Sequence, residues 1–268
     1  RFAAAGAVGV FSYPVLFVLD RGNTEVFVFC LLAFFYLDLD RGRDRQAGYW
    51  LGAAIAMKIV PVVFLPLLMK RKGGWRNGIG AVLVAAVLTV AGVTLFDGSI
   101  SSNLQLLLAH LSKYEGAYVH AASGLQHNSS LWGAWRELGF SAEWILASAP
   151  YYRILAAGSY LVIAAIILLF ETALWESALA MTLAFCALPF VSFDYKLIHL
   201  ILPLGLMFKS RLPVEPSLVV GAALLLIAKD YWILHDDASI NGVMNAGILV
   251  TLTGVLAFKI TRRPMRYG

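Results

Sequence analysis

The sequence is poor in charged residues. Asp, Glu, Lys and Arg make up only 14% of its 268 residues, whereas hydrophobic residues make up 60%. The mean hydropathy is +0.77, and soluble domains typically carry about a quarter charged residues. The composition therefore excludes a soluble globular protein and indicates an all-α, polytopic integral membrane protein.

Cysteine pairs and phosphate-binding motifs are also lacking. Cys30 and Cys186 both lie in apolar runs, which predicts buried small side chains and no disulfide framework. There is no Cys/His metal spacing, no Gly-rich phosphate loop and no Ser-centred nucleophile motif. Asp38-Leu39-Asp40 imitates a metal-binding acidic pair, but its arginine neighbours favour a solvated charge run. The sequence thus assigns no metal ligand and firmly implies no cofactor, although it leaves room for a divalent cation.

The positive charge lies in short loops between apolar segments, so the net charge of +5 does not indicate binding to nucleic acid. Because the chain opens at Arg1 without an initiator Met, we expect residues 1–268 to be one transmembrane domain of an N-terminally truncated fragment. A spanning helix needs ~20 mostly apolar residues. The candidate stretches are Phe2–Leu19, Val26–Leu37, Gly78–Phe96, Tyr152–Phe170, Ala178–Val191, Leu197–Phe208, Leu218–Leu234 and Val243–Ile260.

Residues 99–150 are too polar to span and are predicted to form an interfacial segment on the outer face. Ser102 is expected to cap a helix that carries leucines on one side and polar residues on the other. A second short helix, Leu131–Leu138, contains Trp132 and Trp135. Amphipathic helices with Trp belong at the bilayer surface, which is where we expect both helices to lie.

The most unusual stretch, residues 51–76, carries a lysine at the centre of an apolar run. Lys58 is followed by Pro61, which lacks an amide hydrogen and leaves the carbonyl of Met57 without its helical partner. A lone ammonium at membrane depth costs roughly 3 kcal/mol, so Lys58 needs a partner, a cavity or an anionic ligand. The alternative is a straight spanning helix in which the Lys58 side chain reaches toward the membrane surface.

Charge at both ends of this stretch favours a re-entrant hairpin over a straight span. Basic loops stay cytoplasmic, and a hairpin that enters and leaves on one side puts all the basic clusters on the cytoplasmic face. We therefore predict Lys58 at a hairpin tip that faces a polar cavity, because irregular backbone at membrane depth is tolerated only there. The basic residues are Arg41, Arg43, Arg45, Lys70, Arg71, Lys72, Arg76, Lys209, Arg211, Arg262, Arg263 and Arg266, and the acidic residues on the outer side are Asp20, Asp97, Asp194, Asp236 and Asp237.

A polar knot, Asp20-Arg21-Gly22-Asn23, is a candidate binding site. Arg21 is suited to grip a phosphate or sugar hydroxyls, and the helix N-terminus that follows favours an anion. An ordinary helix cap explains the same residues, with Asn23 as the capping residue and Asp20 paired with Arg21.

A second candidate site is Phe193-Asp194-Tyr195-Lys196, with His199 one turn further along an apolar segment. An ionisable residue inside the membrane indicates function by default, and His199 needs a partner there. The alternative is a short solvated loop followed by a packed histidine. A further polar cluster, residues 126–130, lies in the predicted outer segment.

Taken in order, these motifs resemble the membrane glycosyltransferases of the GT-C class. The resemblance is closest to glycosyltransferase family 87, the group related to polyprenyl-phosphate-mannose-dependent mannosyltransferases, and it covers roughly residues 15–210. The family's Gly-Gln pair in the first knot is Asp20-Arg21 here. The matching motifs are Asp20–Asn23, Lys58-Ile59-Val60-Pro61, the basic loop with Trp at residues 70–76, Asn128-Ser129-Ser130 and Phe193-Asp194-Tyr195.

The resemblance implies a GT-C-like helical bundle that moves mannose, or another hexose or pentose, from a polyprenyl-phosphate donor to a lipid or glycan acceptor. The active face would be extracytoplasmic in a multi-pass protein of the cell membrane, with membrane lipids as further partners. Asp194 is implied as a catalytic residue, and the main acidic base is expected upstream of Arg1. The implied substrate-binding residues are Lys58 and Arg21 at the donor phosphate, with Asp20, Asn23, His127, Asn128, Lys196 and His199.

Two other functions fit the same composition. A transporter or flippase for a lipid-linked or anionic substrate would use the same cavity and Lys58, but it would show inverted repeats, and none is evident in the sequence. A non-catalytic membrane scaffold would not need Lys58 or His199 in the membrane.

Overall fold

The computed structural model describes residues 12–95, 99–117, 127–138, 140–210, 215–227, 233–235 and 238–266. These residues form two compact units. The first contains the described parts of Arg1–Phe29 and Leu125–Gly268, and the second those of Cys30–Gly124. Most of the predicted span Phe2–Leu19 lies outside the described residues, as do Asp97, Arg211, Asp236 and Asp237.

The described chain is all-α apart from one short pair of antiparallel strands, β1 (Ile233–His235) and β2 (Ala238–Ser239). Two 3-10 segments, Val60–Phe64 and Asp194–Leu200, interrupt the helices. The α-helices are α1 (Tyr13–Asp20), α2 (Glu25–Asp40), α3 (Asp44–Met57), α4 (Leu65–Met69), α5 (Gly74–Thr94), α6 (Ile100–Glu115), α7 (Leu131–Glu137), α8 (Ala142–Leu169), α9 (Leu174–Ala187), α10 (Ile201–Lys209), α11 (Pro216–Leu225) and α12 (Ile240–Thr261).

Three helices of the described residues, α5, α8 and α12, are long and apolar enough to cross a membrane. This confirms the predicted all-α membrane protein. The stretches predicted as spans around α9, α10 and α11 fold into shorter helices of 14, nine and ten residues. Since a helix rises about 1.5 Å per residue, none of these three alone matches the ~30 Å hydrocarbon core.

The predicted hairpin is present in the second unit. α3 ends at Met57, four residues before Pro61, as expected from the missing amide hydrogen of proline. Lys58 is extended, with φ −146° and ψ 133°, and the chain reverses through the 3-10 segment into α4. Lys58 therefore lies at the tip, while the membrane side of the hairpin and a polar cavity at its tip stay predictions.

An arginine closes the open end of the hairpin. Arg71 donates from Nε to Asp44 Oδ1 at 3.0 Å and from Nη2 to the Leu39 carbonyl at 2.6 Å. A continuous helix would separate residues 44 and 71 by about 40 Å. The straight-span alternative is thus wrong, and the two basic flanks lie at the same end of the hairpin.

Glycines let α3 approach α5 closely. A Cβ on Gly52 would lie 2.5 Å from the carbonyl oxygen of Ala81 and 2.8 Å from Cβ of Val84. A Cβ on Gly48, one turn earlier, would lie 3.1 Å from the carbonyl oxygen of Asn77. Small residues four apart are the spacing through which membrane helices pack backbone against backbone.

This packing predicts that Gly52→Ala lowers the free energy of unfolding by about 1–3 kcal/mol, because the added methyl group overpacks the α3–α5 contact. Gly80→Ala on α5 is the matched control, since a Cβ at Gly80 meets open space. Thermal unfolding of the detergent-solubilised variants measures both effects. Equal melting temperatures for the two variants would contradict the close contact.

Two helices of the predicted outer segment begin earlier than expected. α6 is capped by Ser99, whose Oγ accepts from the amide of Ser102 at 3.1 Å, so the predicted cap at Ser102 is wrong by one turn. α8 begins at Ala142, ten residues before the predicted span, because Ser141 caps it and Pro150 is accommodated inside it. The leucine face of α6 is exposed, as an amphipathic helix requires, and its interfacial placement stays a prediction.

Aromatic packing corrects the prediction for α7. Trp132 is fully buried, and its ring centroid lies 5.1 Å from that of Tyr152 and 4.9 Å from that of Phe190. This tryptophan belongs to the core of the first unit, where α9 is buried along almost its whole length. The prediction that it faces the bilayer surface is wrong, because a short helix buries its indole against its neighbours.

Of the two cysteines, Cys186 is buried as predicted, but Cys30 is exposed. Lipid tails are as apolar as a protein core. Apolar side chains of a membrane helix therefore face either environment, and hydropathy alone does not choose the buried side.

Candidate functional site

The site is built in the first unit, starting from the loop before α7. Asn128 fastens this loop to the segment after α9, donating from Nδ2 to the Phe190 carbonyl at 2.9 Å and accepting at Oδ1 from the Ser192 amide at 2.9 Å. Oδ1 also accepts from the Ser130 amide at 3.2 Å. Asn128, Ser129 and Ser130 are all buried, so these residues hold two loops together at the edge of the core.

The carboxylate of Asp194 is fully buried at the start of the second 3-10 segment. Ser129 Oγ donates to its Oδ1, and Asn241 Nδ2 donates to its Oδ2. Asn245 Nδ2 donates to Oδ1 at 3.2 Å. Removing a carboxylate from water is costly unless hydrogen bonds replace the water. These three side chains supply that replacement.

His127 links the buried carboxylate to the protein surface. Its Nδ1 lies 3.9 Å from Asp194 Oδ2, and its side chain is 26% exposed. Its ring packs on Phe17 of α1, with a centroid separation of 5.0 Å. The guanidinium of the exposed Arg21 lies over the same phenyl ring, 5.0 Å from its centroid. The structure therefore places Arg21, His127 and Asp194 in one continuous set of contacts.

His199 finds its partner in Glu25. Nε2 of His199 and Oε1 of Glu25 are 2.8 Å apart, and both side chains are buried. With Glu25 ionised, its carboxylate only accepts, and His199 is then the tautomer that donates from Nε2–H. This bond ties the 3-10 segment to the start of α2. His199 and Asp194 lie on the same segment, yet each belongs to its own polar cluster.

The other predicted site residues of the first unit are Asn23, Asp20 and Lys196, and they differ in burial and in hydrogen bonding. Asn23 accepts at Oδ1 from the Glu25 amide at 3.0 Å and so caps the start of α2, as the alternative to an anion site proposed. Asp20 is exposed at the last residue of α1. Lys196 is buried, donates to the Val191 carbonyl at 3.0 Å and lies over the ring of Phe185.

Lys58 belongs to the second unit, at the hairpin tip, and it is half-buried. Its neighbours on the tip, Met57 and Ile59, are exposed by 45% and 77%. The role of Lys58 as a phosphate ligand stays a prediction.

A second buried carboxylate, Glu176, lies at the start of α9. It is fully buried and accepts two hydrogen bonds from Arg263, at 2.5 and 2.6 Å, and Lys259 lies 3.5 Å away. Its Oε2 also accepts from the Ala173 amide at 2.9 Å. Through Lys259 and Arg263, these contacts attach the C-terminal end of α12 to α9. Glu176 therefore has a structural role.

Potential metal ligands are not clustered in the described ranges. They contain no group of three or more His, Cys, Asp or Glu side chains placed to hold an ion. Asp38, from the acidic pair that imitates a metal site, accepts from Trp50 Nε1 at 3.0 Å and lies 3.9 Å from Arg43. Asp38 therefore lies in the last turn of α2 and not in a solvated loop, and its contacts are to Trp50 and Arg43.

Sequence reasoning missed the residues that complete both clusters. Glu25 was not singled out, although a histidine inside an apolar segment requires a carboxylate or another polar partner. Asn241 and Asn245 were not identified because hydropathy is averaged over a window of mostly apolar residues, in which two asparagines have little effect. Their spacing of four was the available signal, since residues i and i+4 share one helix face.

The Glu25–His199 pair predicts a clear difference between two substitutions. Glu25→Ala leaves a buried histidine without its carboxylate and is expected to cost about 3–5 kcal/mol of stability. Glu25→Gln keeps an oxygen that accepts from Nε2–H and should cost much less. Melting temperatures of the purified variants measure the difference, and equal losses would show that the hydrogen bond contributes little.

Comparisons with known proteins identify one family. A model of glycosyltransferase family 87 matches residues 1–198. Comparison with curated proteins and with solved structures found no match. The matched range includes Arg21, His127 and Asp194, whereas Asn241 and Asn245 lie beyond it.

Proposed function

This chain belongs to glycosyltransferase family 87, and we propose that it moves a sugar from a polyprenyl-phosphate donor to a lipid or glycan acceptor. One observation carries the proposal: the exposed Arg21 and the half-buried His127 both pack on the ring of Phe17, and His127 lies 3.9 Å from the buried carboxylate of Asp194. Transfer from a phosphate-linked sugar needs a base for the acceptor hydroxyl and a positive charge for the departing phosphate, and these groups supply both.

The membrane helices support a lipid-linked donor. A polyprenyl tail lies in the hydrocarbon core, while its phosphate and sugar lie at the membrane surface. Arg21 is exposed at the C-terminal end of α1, where its planar guanidinium can bind a phosphate through two parallel hydrogen bonds. The sequence also contains no Gly-rich loop of the kind that binds nucleotides.

The chemistry assigns different roles to the two groups behind Arg21. The acceptor hydroxyl oxygen bonds to C1 of the sugar as the C1–phosphate bond breaks, and polyprenyl phosphate leaves with the bonding electrons. Arg21 stabilises the charge that develops on that phosphate. We assign the hydroxyl proton to His127 rather than to the acidic base expected upstream of Arg1, since imidazole is the side chain that most often serves as a general base. Asp194, fully buried, acts through His127 by stabilising its protonated ring.

The proposed enzyme is of the GT-C type, with mannose or another hexose or pentose as the transferred sugar. We place its active face outside the cytoplasm in a multi-pass protein of the cell membrane. The charge distribution supports this orientation, because basic loops stay cytoplasmic and Asp20 and Asp194 then fall on the outer side.

The proposal predicts that membranes expressing the full-length gene transfer radiolabelled sugar from a polyprenyl-phosphate donor to an extractable acceptor. His127→Ala should lower the rate by roughly 100- to 10,000-fold, the usual contribution of general acid–base catalysis. His110→Ala on α6, which is exposed in the second unit, is the matched control and should leave the rate unchanged.

Two outcomes would overturn the proposal. If donor sugar moves across the vesicle membrane without being transferred, the protein is a transporter or flippase. If His127→Ala retains the full rate in well-folded protein, this polar cluster is structural.

Lys58 is proposed as a separate anion-binding residue at the hairpin tip. Lys58→Met keeps the length of the side chain and removes its charge, so it should weaken donor binding by about 1.5–3 kcal/mol, the range for a charge-assisted hydrogen bond. Donor affinity and melting temperature are measured on the same purified variant, and a lower melting temperature with unchanged affinity would assign Lys58 a structural role.

A further inference from the structure

We infer that Asn241 and Asn245 of α12 are positioning residues for sugar transfer. They hold the Asp194 carboxylate at a fixed distance and orientation from His127. The inference rests on the function proposed above. It extends the site beyond residues 1–198, the range that the family model matches, into the last helix of the chain.

The two asparagines are placed to act together on the carboxylate. They stand four residues apart on one face of α12, and both are buried. Asn241 Nδ2 donates to Oδ2 of Asp194, and Asn245 Nδ2 donates to Oδ1. Asn245 also donates to Asn241 Oδ1 at 3.1 Å, which fixes the two amides relative to each other. Each oxygen of the carboxylate is thereby held from α12.

The same helix face fixes the loop that carries His127. Asn245 Nδ2 donates to Ser129 Oγ at 3.0 Å. A Cβ on Gly242 would lie 2.8 Å from the carbonyl oxygen of Asn128 and would collide with Glu137 of α7. Only glycine allows α12 to come this close to the loop. α12 therefore sets the separation between His127 and Asp194 from both sides.

The orientation of the Asn245 amide favours positioning over general packing. Within the described residues, its buried Oδ1 has no hydrogen-bond partner, while its Nδ2 lies within hydrogen-bond distance of Asp194, Ser129 and Asn241, so that one of its two hydrogens is shared between acceptors. A flipped amide would turn its oxygen toward a carboxylate oxygen and lose these bonds. The carboxylate thus determines the orientation of the amide, although this leaves the amide oxygen without a hydrogen bond among the described residues.

The first test removes the donors. Asn245→Ala and Asn241→Ala should each lower kcat of the folded, full-length enzyme by roughly 10- to 100-fold, the value of a hydrogen bond to a charged group. KM for the polyprenyl-phosphate donor should change by less than about threefold, since the phosphate is assigned to Arg21. Thr253→Val is the matched control on α12, because the Thr253 hydroxyl donates to the Leu249 carbonyl of its own helix.

The second test exchanges the two chemical groups. Asn245→Asp sets a second carboxylate against Asp194 and should lower both melting temperature and kcat. Adding Asp194→Asn to that variant restores one donor and one acceptor, so the melting temperature should recover. The rate should stay low, because the carboxylate has moved away from His127. A merely structural role predicts recovery of both quantities.

The outcomes separate this inference from the function that it rests on. If both alanine variants keep the wild-type kcat while His127→Ala loses activity, α12 has no positioning role and the proposed function stands. If the wild-type enzyme transfers no sugar from the polyprenyl-phosphate donor, the proposed function fails. Recovery of kcat in the exchanged double variant would also overturn the inference.

Discussion

The buried carboxylate of Asp194 sets the constraint on which the first unit depends. A carboxylate removed from water must receive hydrogen bonds from the protein, and its three donors come from two places far apart in the chain. Ser129 stands before α7, and Asn241 and Asn245 stand on α12. Satisfying one side chain therefore brings the loop of His127, the segment after α9 and the last helix together. The glycine at residue 242 is a consequence, since no side chain fits where these elements meet.

The second unit depends on a different constraint. Where a helix ends among apolar residues, its backbone amide and carbonyl groups still need hydrogen-bond partners. Pro61 ends α3 at Met57, and Lys58 lies at the resulting reversal. Arg71 then closes the hairpin through Asp44 and the Leu39 carbonyl. A positively charged tip is thereby held by contacts at the opposite end of the hairpin, and Gly48 and Gly52 let α3 pack closely against α5.

Much of this architecture was predictable because composition and charge act locally. Hydropathy located α5, α8 and α12, and the basic residues on both sides of Lys58 predicted the reversal that Arg71 confirms. The partners of buried polar groups were not predictable in the same way. Glu25 and His199 are separated by 174 residues, and Asp194 and Asn241 by 47. Nothing in local periodicity chooses among distant partners. The burial of the polar loop at residues 128–130 was unpredictable for the same reason, since its partners Phe190 and Ser192 lie more than 60 residues away.

The central claim, that donor binds beside His127, is tested most directly by photocrosslinking the full-length protein in membranes. The probe is a polyprenyl-phosphate sugar with a diazirine on the sugar, and mass spectrometry locates the label. The account predicts labelled peptides that contain His127 or Phe17, with labelling suppressed by unlabelled donor. The account would be contradicted if all labelling that unlabelled donor suppresses were found on peptides outside the first unit.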